Sequence, residues 1–272
     1  MDTIMLSEDM ERDINNLIDG ELSMKVGTSS IIGTRQYQQD MLFVGRNEGM
    51  LLAVVCDGMG GMTSGDLASK TAIGIIAEDF YKLPPDADIP EFFNREVELM
   101  DRAVSEIARE ADGPGSGTTI VAMIERNGLM YWLSVGDSRI LVIRGGAIAT
   151  INRDHNYRLK LDADLEAGKI TMDEYLEEEK NAEALISFIG IGGVPIVDIG
   201  KGTQLEEDDI IILSSDGLYK RLTNEEIYET VMCEEPDMKR AARRLTEVVM
   251  KKVIKSQDNT SVITMQYNRY KI

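Results

Sequence analysis

The chain has 272 residues, 43% of them hydrophobic, and sets 29 basic side chains against 48 acidic ones for a formal net charge of −19. That length suits one large domain with a substantial core. The charge argues against nucleic acid or an anionic membrane as a general partner, and it means that any site for a phosphorylated substrate needs cations of its own.

Two cysteines, Cys56 and Cys233, offer no disulfide framework, so a reducing cytoplasm is the expected compartment. No run approaches the roughly 18 consecutive apolar residues of a membrane span. The opening Met1-Asp2-Thr3 lacks the basic start of a signal peptide. The single histidine, His155, rules out a His-rich zinc site. It follows Asp154 in a polar stretch, and no Gly-x-Ser-x-Gly elbow exists to use it, so histidine-based catalysis is not expected.

Residues 1–25 are acidic and loosely periodic, and read as an added helix, packed on the domain edge or loose. From Met24 a strand leads to Gly33-Thr34-Arg35-Gln36-Tyr37-Gln38-Gln39-Asp40 and then to a second strand, Met41 to Val44. Leu51 to Cys56 is an unbroken apolar run, the pattern of a strand buried on both faces. It ends on Asp57-Gly58-Met59-Gly60-Gly61. A helix is predicted over 64–81, with Ala68, Ala72, Ile76 and Phe80 in one stripe, and another over 90–111 through Phe93, Val97, Met100, Val104, Ile107 and Ala111. These stripes are core faces.

After the loop Gly113-Pro114-Gly115-Ser116-Gly117, strands are predicted over 118–124, 129–135, 139–143 and 147–151. Strands joined by short turns are antiparallel hairpins. The fold class is therefore α+β, with helices covering antiparallel sheets. Asn156 to Ala184 is the most charged segment, read as a solvated face or a mobile flap. The apolar run Ile210 to Leu213 leads to Asp216-Gly217. Thr223-Asn224-Glu225-Glu226 is a capping box opening a helix, Pro236-Asp237 starts another, and Asp258-Asn259-Thr260 precedes a strand over 261–265.

Aspartates therefore recur at strand edges: Asp57, Asp137, Asp216 and Asp258. Taken alone, Asp57-Gly58 is either a metal ligand or a tight turn that carries an Asp. The recurrence favours a site of carboxylates gathered from distant strand ends, which suits Mg or Mn over Zn. Arg35 is by default a surface cation; beside such a cluster its planar fork becomes a phosphate clamp.

In order along the chain, Arg35 with Asp40, Asp57-Gly58-Met59-Gly60-Gly61, Ser116-Gly117-Thr118-Thr119, Gly136-Asp137-Ser138-Arg139, Asp154-His155, Ser215-Asp216-Gly217-Leu218 and Asp258-Asn259-Thr260 together resemble the motifs of the metal-dependent protein phosphatases, the phosphatase 2C-like family. The resemblance runs from about residue 26 to 267. It implies a central antiparallel β-sandwich flanked by helices, a catalytic domain over 26–272 and a flap over about 156–190. It further implies two Mn or Mg ions bridged by Asp57, with Gly58 lending its carbonyl and Asp216 and Asp258 completing one shell. Asp137 would serve a third, weaker ion. Asp40 would support the cluster directly or through a water, and Arg35 would hold the substrate phosphate. The expected activity is hydrolysis of phosphoserine and phosphothreonine proteins, opposite a cognate Ser/Thr kinase.

Three departures from the family pattern stand out. Gln39 replaces a frequent Glu and adds no charge near the second metal. Met59 stands where eukaryotic members have a proton-donating His. Ile186-Ser187-Phe188-Ile189-Gly190 replaces the usual Thr-Arg-x-Ile-Gly. The competing reading is a pseudophosphatase, a regulatory binding module of the same fold, with Gln39 as its support. A third is a phosphatase of anti-sigma-factor antagonists, less expected without an attached sensor domain.

Overall fold

A computed structural model describes residues 24–60, 64–110, 116–253 and 255–268. Two antiparallel sheets form the middle of the molecule. One runs in the order β1 (Met24–Ile31), β11 (Thr260–Tyr267), β10 (Ile210–Ser214), β7 (Arg139–Arg144) and β8 (Ala147–Thr150). The other runs β2 (Asp40–Asn47), β3 (Met50–Met59), β5 (Ile120–Arg126), β6 (Leu129–Val135) and β9 (Asp198–Gln204), with short β4 (Gly117–Thr118) paired to the end of β3. The α+β sandwich expected from the sequence is the fold observed.

Strand β3 shows why its run is unbroken and not alternating. Leu51, Ala53 and Val55 point into the layer between the sheets, against Ile211, Leu213, Ile263 and Met265. Leu52, Val54 and Cys56 point the other way, against Ala68, Ala72, Ile76 and Phe80 of α1 (Ser64–Phe80) and Phe93 and Met100 of α2 (Ile89–Glu110). Each fully buried Leu, Ile, Val, Phe or Met among them contributes roughly 1.5–3 kcal/mol. On the far side, Ile210, Ile212 and Val262 meet Ala241, Leu245 and Val249 of α7 (Met238–Lys251) and Ile227 and Val231 of α6 (Asn224–Met232). The layers are therefore helix, sheet, sheet, helix.

The hairpins turn on residues 48–49, 127–128 and 145–146, where both positions of each pair have positive φ. That is the twist two-residue turns need to match the flanking strands. The predicted strand over 118–124 is broken at Thr119, which turns its own N–H to the Asp57 carbonyl at 2.9 Å. The capping box is present at Thr223 and Glu226.

Met24 and Lys25 open β1; the rest of the expected N-terminal extension lies outside the described residues, as do Gly61, Ala111 and Gly113-Pro114-Gly115. Among the described residues, no helix is long and apolar enough to cross a membrane.

The charged segment forms α3 (Tyr157–Glu166) and α4 (Met172–Glu178), followed by a single 3₁₀ turn, Glu179–Asn181. Thr171 and Glu174 make a second capping box. The segment is hung from the body by paired backbone bonds, Tyr157 N–H to Ala184 and Arg158 N–H to Ala182, at 2.8 and 2.9 Å. Its exit is pinned to α2, where the Asp101 carboxylate accepts from the amides of Gly190, Gly192 and Gly193 at 2.8, 3.2 and 2.6 Å.

Candidate metal centre

The carboxylates come from both sheets. Asp40 opens β2 and lies directly across from Asp57 on β3. Like charges so placed repel. Asp216 begins α5 (Asp216–Tyr219), two residues beyond the end of β10, and Asp258 stands two residues before β11. Asp137 occupies the turn between β6 and β7.

Neighbouring motifs fix these positions. The Asp57 carbonyl accepts from the Thr118 hydroxyl at 3.0 Å, and the Asp57 amide donates to the Thr119 hydroxyl oxygen at 3.1 Å. The Thr119 hydroxyl also pairs with that of Ser138, beside Asp137, at 2.7 Å. Asn259 ties the loop carrying Arg35 to Asp258: its amide donates to the carbonyls of Ile32 and Tyr37, both at 3.0 Å, and its oxygen accepts from Gln39 N–H at 2.8 Å.

Burial dominates the electrostatics. It lifts the Asp40 carboxyl to about 7, opposed by the Ser215 hydroxyl at 2.7 Å and reinforced by the charges of Asp216 and Asp258. Asp57 is held well above the carboxylate range, first by burial and then by Asp40, Asp216, Asp137 and Asp258. Asp137 rises to about 6, again chiefly through burial and then through Asp216, with Lys220 opposing. Two buried oxygens, Oδ1 of Asp40 and Oδ1 of Asp216, have no hydrogen-bond partner among the described residues. Buried carboxylates without donors are costly unless a cation meets them. All-oxygen acidic donors suit a hard divalent ion, so the residues present fit Mg or Mn.

No three Asp, Glu, His or Cys side chains among the described residues converge into a finished coordination sphere. Two cations already engage these carboxylates. Lys220 draws Oδ2 of Asp216, and Arg35 holds Oδ2 of Asp258 at 2.5 Å. Arg35 thus lies beside the cluster, where its guanidinium grips a carboxylate.

Gly58 shows how tight the floor is. A Cβ at this position would stand 2.2 Å from the Gly65 carbonyl oxygen and 2.6 Å from that of Gln39. Gly58→Ala is therefore expected to destabilise the chain by about 1–3 kcal/mol and to weaken Mn binding, measured by thermal unfolding and calorimetry. The Gln39 amide itself packs against Gly65, within 2.5 Å of where a Cβ there would be.

His155 packs inside the domain. It is buried, its Nδ1 accepts from Gly136 N–H at 3.2 Å, and Nε2 therefore carries the proton facing Asp198 at 3.2 Å. Burial lowers its pKa, which keeps the ring neutral.

Three residues beside the cluster were given no role by the sequence reading. Tyr219 donates to the Asp137 carbonyl at 2.9 Å, and Arg139 lies over the Tyr219 ring at 3.6 Å while gripping Asp154 through two bonds of 3.0 and 2.7 Å. The third is Lys220, whose only sequence signal is its place four residues after Asp216 on a helix.

A sandwich that gathers acidic side chains from both sheets offers an all-oxygen donor set of the kind a hard divalent ion takes. The family model of protein phosphatase 2C matches residues 26–257, and the chain belongs to that family. It is a metal-dependent serine/threonine protein phosphatase. Protein phosphatase PhpP of Streptococcus pneumoniae serotype 2 is 27% identical over 191 residues, covering 69% of this chain and 75% of PhpP. The S. agalactiae serine/threonine phosphatase matches with a TM-score of 0.78 at 26% identity, over 90% of this chain and 100% of that one. The catalytic domain of the phosphatase PstP, solved with two manganese ions, shares the fold with a TM-score of 0.72 at 24% identity, over 90% and 99% of the two chains.

Proposed function

We propose that Asp57, Asp216 and Asp258, with the Gly58 carbonyl, hold two Mn or Mg ions, and that the substrates are the phosphoserine and phosphothreonine proteins of a cognate Ser/Thr kinase. The observation that carries this reading is the pair of buried, unpartnered oxygens on Asp40 and Asp216, facing one another's charges at the end of the sandwich. When bound, such a pair of ions lowers the pKa of a water and neutralises phosphoryl oxygens. Asp40 accepts a hydrogen bond inside the cluster and orients what approaches Asp57. Arg35, more than half exposed, releases Asp258 and turns its fork to the substrate phosphate. Asp137 and Asp216 are the pair a third, weaker ion would draw on. The catalytic unit spans residues 26–272 with the flap over about 156–190, and two free cysteines support a reducing cytoplasm as its compartment.

The test is hydrolysis of a phosphothreonine peptide with Mn, with EDTA as control, comparing the wild type with Asp216→Asn. Metal-dependent turnover that drops by about 10³-fold or more in the variant, some 4 kcal/mol of barrier, is the expected result. A regulatory binding module is the second reading, favoured by Gln39, whose neutral amide is turned onto Gly65. That reading would stand if the wild type bound Mn yet turned nothing over at any Mn or Mg concentration.

A further inference from the structure

We infer that Lys220 is a built-in cation of the centre: its ammonium takes the position between Asp216 and Asp137 that a third metal ion would need, so the chain binds two divalent ions and not three. This rests on the reading that the cluster holds metal.

The Lys220 ammonium pairs with Oδ2 of Asp216 and stands 3.9 Å from Oδ2 of Asp137. The two carboxylates are nearly buried, with side chains 13% and 7% exposed, whereas Lys220 is 45% exposed. The ammonium is therefore a lid of positive charge between two buried anions and solvent. An ordinary exposed pair four residues apart on a helix would matter little. This one differs, because Asp216 has a second oxygen without a partner and Asp137 sits in a turn that no other lysine or arginine ion-pairs among the described residues.

The backbone of Lys220 is anchored as well. Its amide donates to the Asp216 carbonyl at 3.0 Å. The preceding Tyr219 is held to Asp137 by its hydroxyl and covered by Arg139. Helix α5 cannot slide to carry the ammonium away without breaking these contacts. A divalent ion entering here must displace a tethered charge or bear its repulsion. Lys220 acts as a specificity-determining residue for metal number, and it need not touch substrate to do so.

The test counts Mn on the full chain by titration calorimetry and by the electron paramagnetic resonance signal of free Mn. The wild type and Lys220→Arg are expected to bind two ions. Lys220→Gln and Lys220→Met are expected to gain a third, weaker event, at least about tenfold tighter than any residual third event in the wild type. Adding Asp137→Asn to Lys220→Gln should return the count to two, and thermal unfolding shows that each variant is folded. Three ions in the wild type overturn the inference, as does a count of two in both neutral variants. A wild type that binds no Mn at all overturns the metal reading itself, which is a different result from either.

Discussion

Asp57→Asn is expected to abolish Mn-dependent phosphatase activity and, at the same time, to raise the melting temperature of the metal-free chain. The two halves have one cause. Asp57 is half-buried, with Asp40 opposite it and with Asp216, Asp137 and Asp258 all adding charge of the same sign. Without metal, that carboxylate opposes folding through its own desolvation and through repulsion. An amide of the same shape removes the charge, for a gain of about 1–3 kcal/mol, or a few degrees in a domain of this size, at roughly 2–4 °C per kcal/mol. With metal the sign reverses, because a carboxylate proposed to hold the ions is gone. The expected loss is about 10³-fold or more in kcal/mol terms near 4. Unfolding in EDTA and turnover of a phosphothreonine peptide with Mn check the two halves separately. Full activity in the variant would remove Asp57 from the centre; a lower melting temperature in EDTA would make its oxygens structural acceptors instead.

The second large effect is on pH. In the metal-free chain Asp40 titrates near 7 and Asp137 near 6, both above the ordinary 3.8. The folded state therefore keeps protons that the unfolded chain has already released. The stability these groups contribute is complete below the unfolded value and is lost as pH rises through 6 and 7. The melting temperature in EDTA should accordingly fall across about pH 4 to 7. His155 works in the opposite sense: its lowered pKa makes folding less favourable as pH falls and the unfolded ring charges. Saturating Mn should flatten the alkaline decline, because the ligands must shed protons to bind and the ion then stabilises the charged forms. The stabilisation by Mn is thus expected to be larger at pH 8 than at pH 6. A melting temperature in EDTA that does not fall between those values would show that the carboxylates are already satisfied.

The parts of the fold legible in the sequence are those whose burial is settled by local pattern. Leu51 to Cys56 and Ile210 to Leu213 are covered on both faces, so they read as strands without help from their partners. The stripes of α1 and α2 follow the helical period for the same reason. Strand β9, Asp-Ile-Gly-Lys-Gly-Thr-Gln, was not legible: it is half-exposed at a sheet edge, glycine-rich, and held by pairing with β6 across a register shift. The flap helices were missed although Thr171 and Glu174 carry the same capping signature that exposed α6 at Thr223 and Glu226, because a dense charge run hides the weak periodicity behind it. At the candidate site the aspartates were legible as strand-end outliers. What they touch was not. That Arg35 pairs with Asp258, 223 residues away, and that Lys220 lies between Asp216 and Asp137, are facts of tertiary placement. Nothing in the local sequence around Arg35 points to its partner.

The strand order carries a consequence for how the enzyme is made. Asp258 arrives on the doorstep of β11, and β11 lies inside its sheet, flanked by β1 and β10. A chain emerging from the ribosome therefore exposes the edges of β1 and β10 until the segment that joins them has been translated, and pairing over such separations is slow. Throughout that interval the acidic end of the sandwich lacks one of its carboxylates. A nascent chain that has not yet released β11 thus lacks one of the carboxylates proposed to hold the ions, and this is the stage at which a chaperone holding the β1 and β10 edges would protect it best.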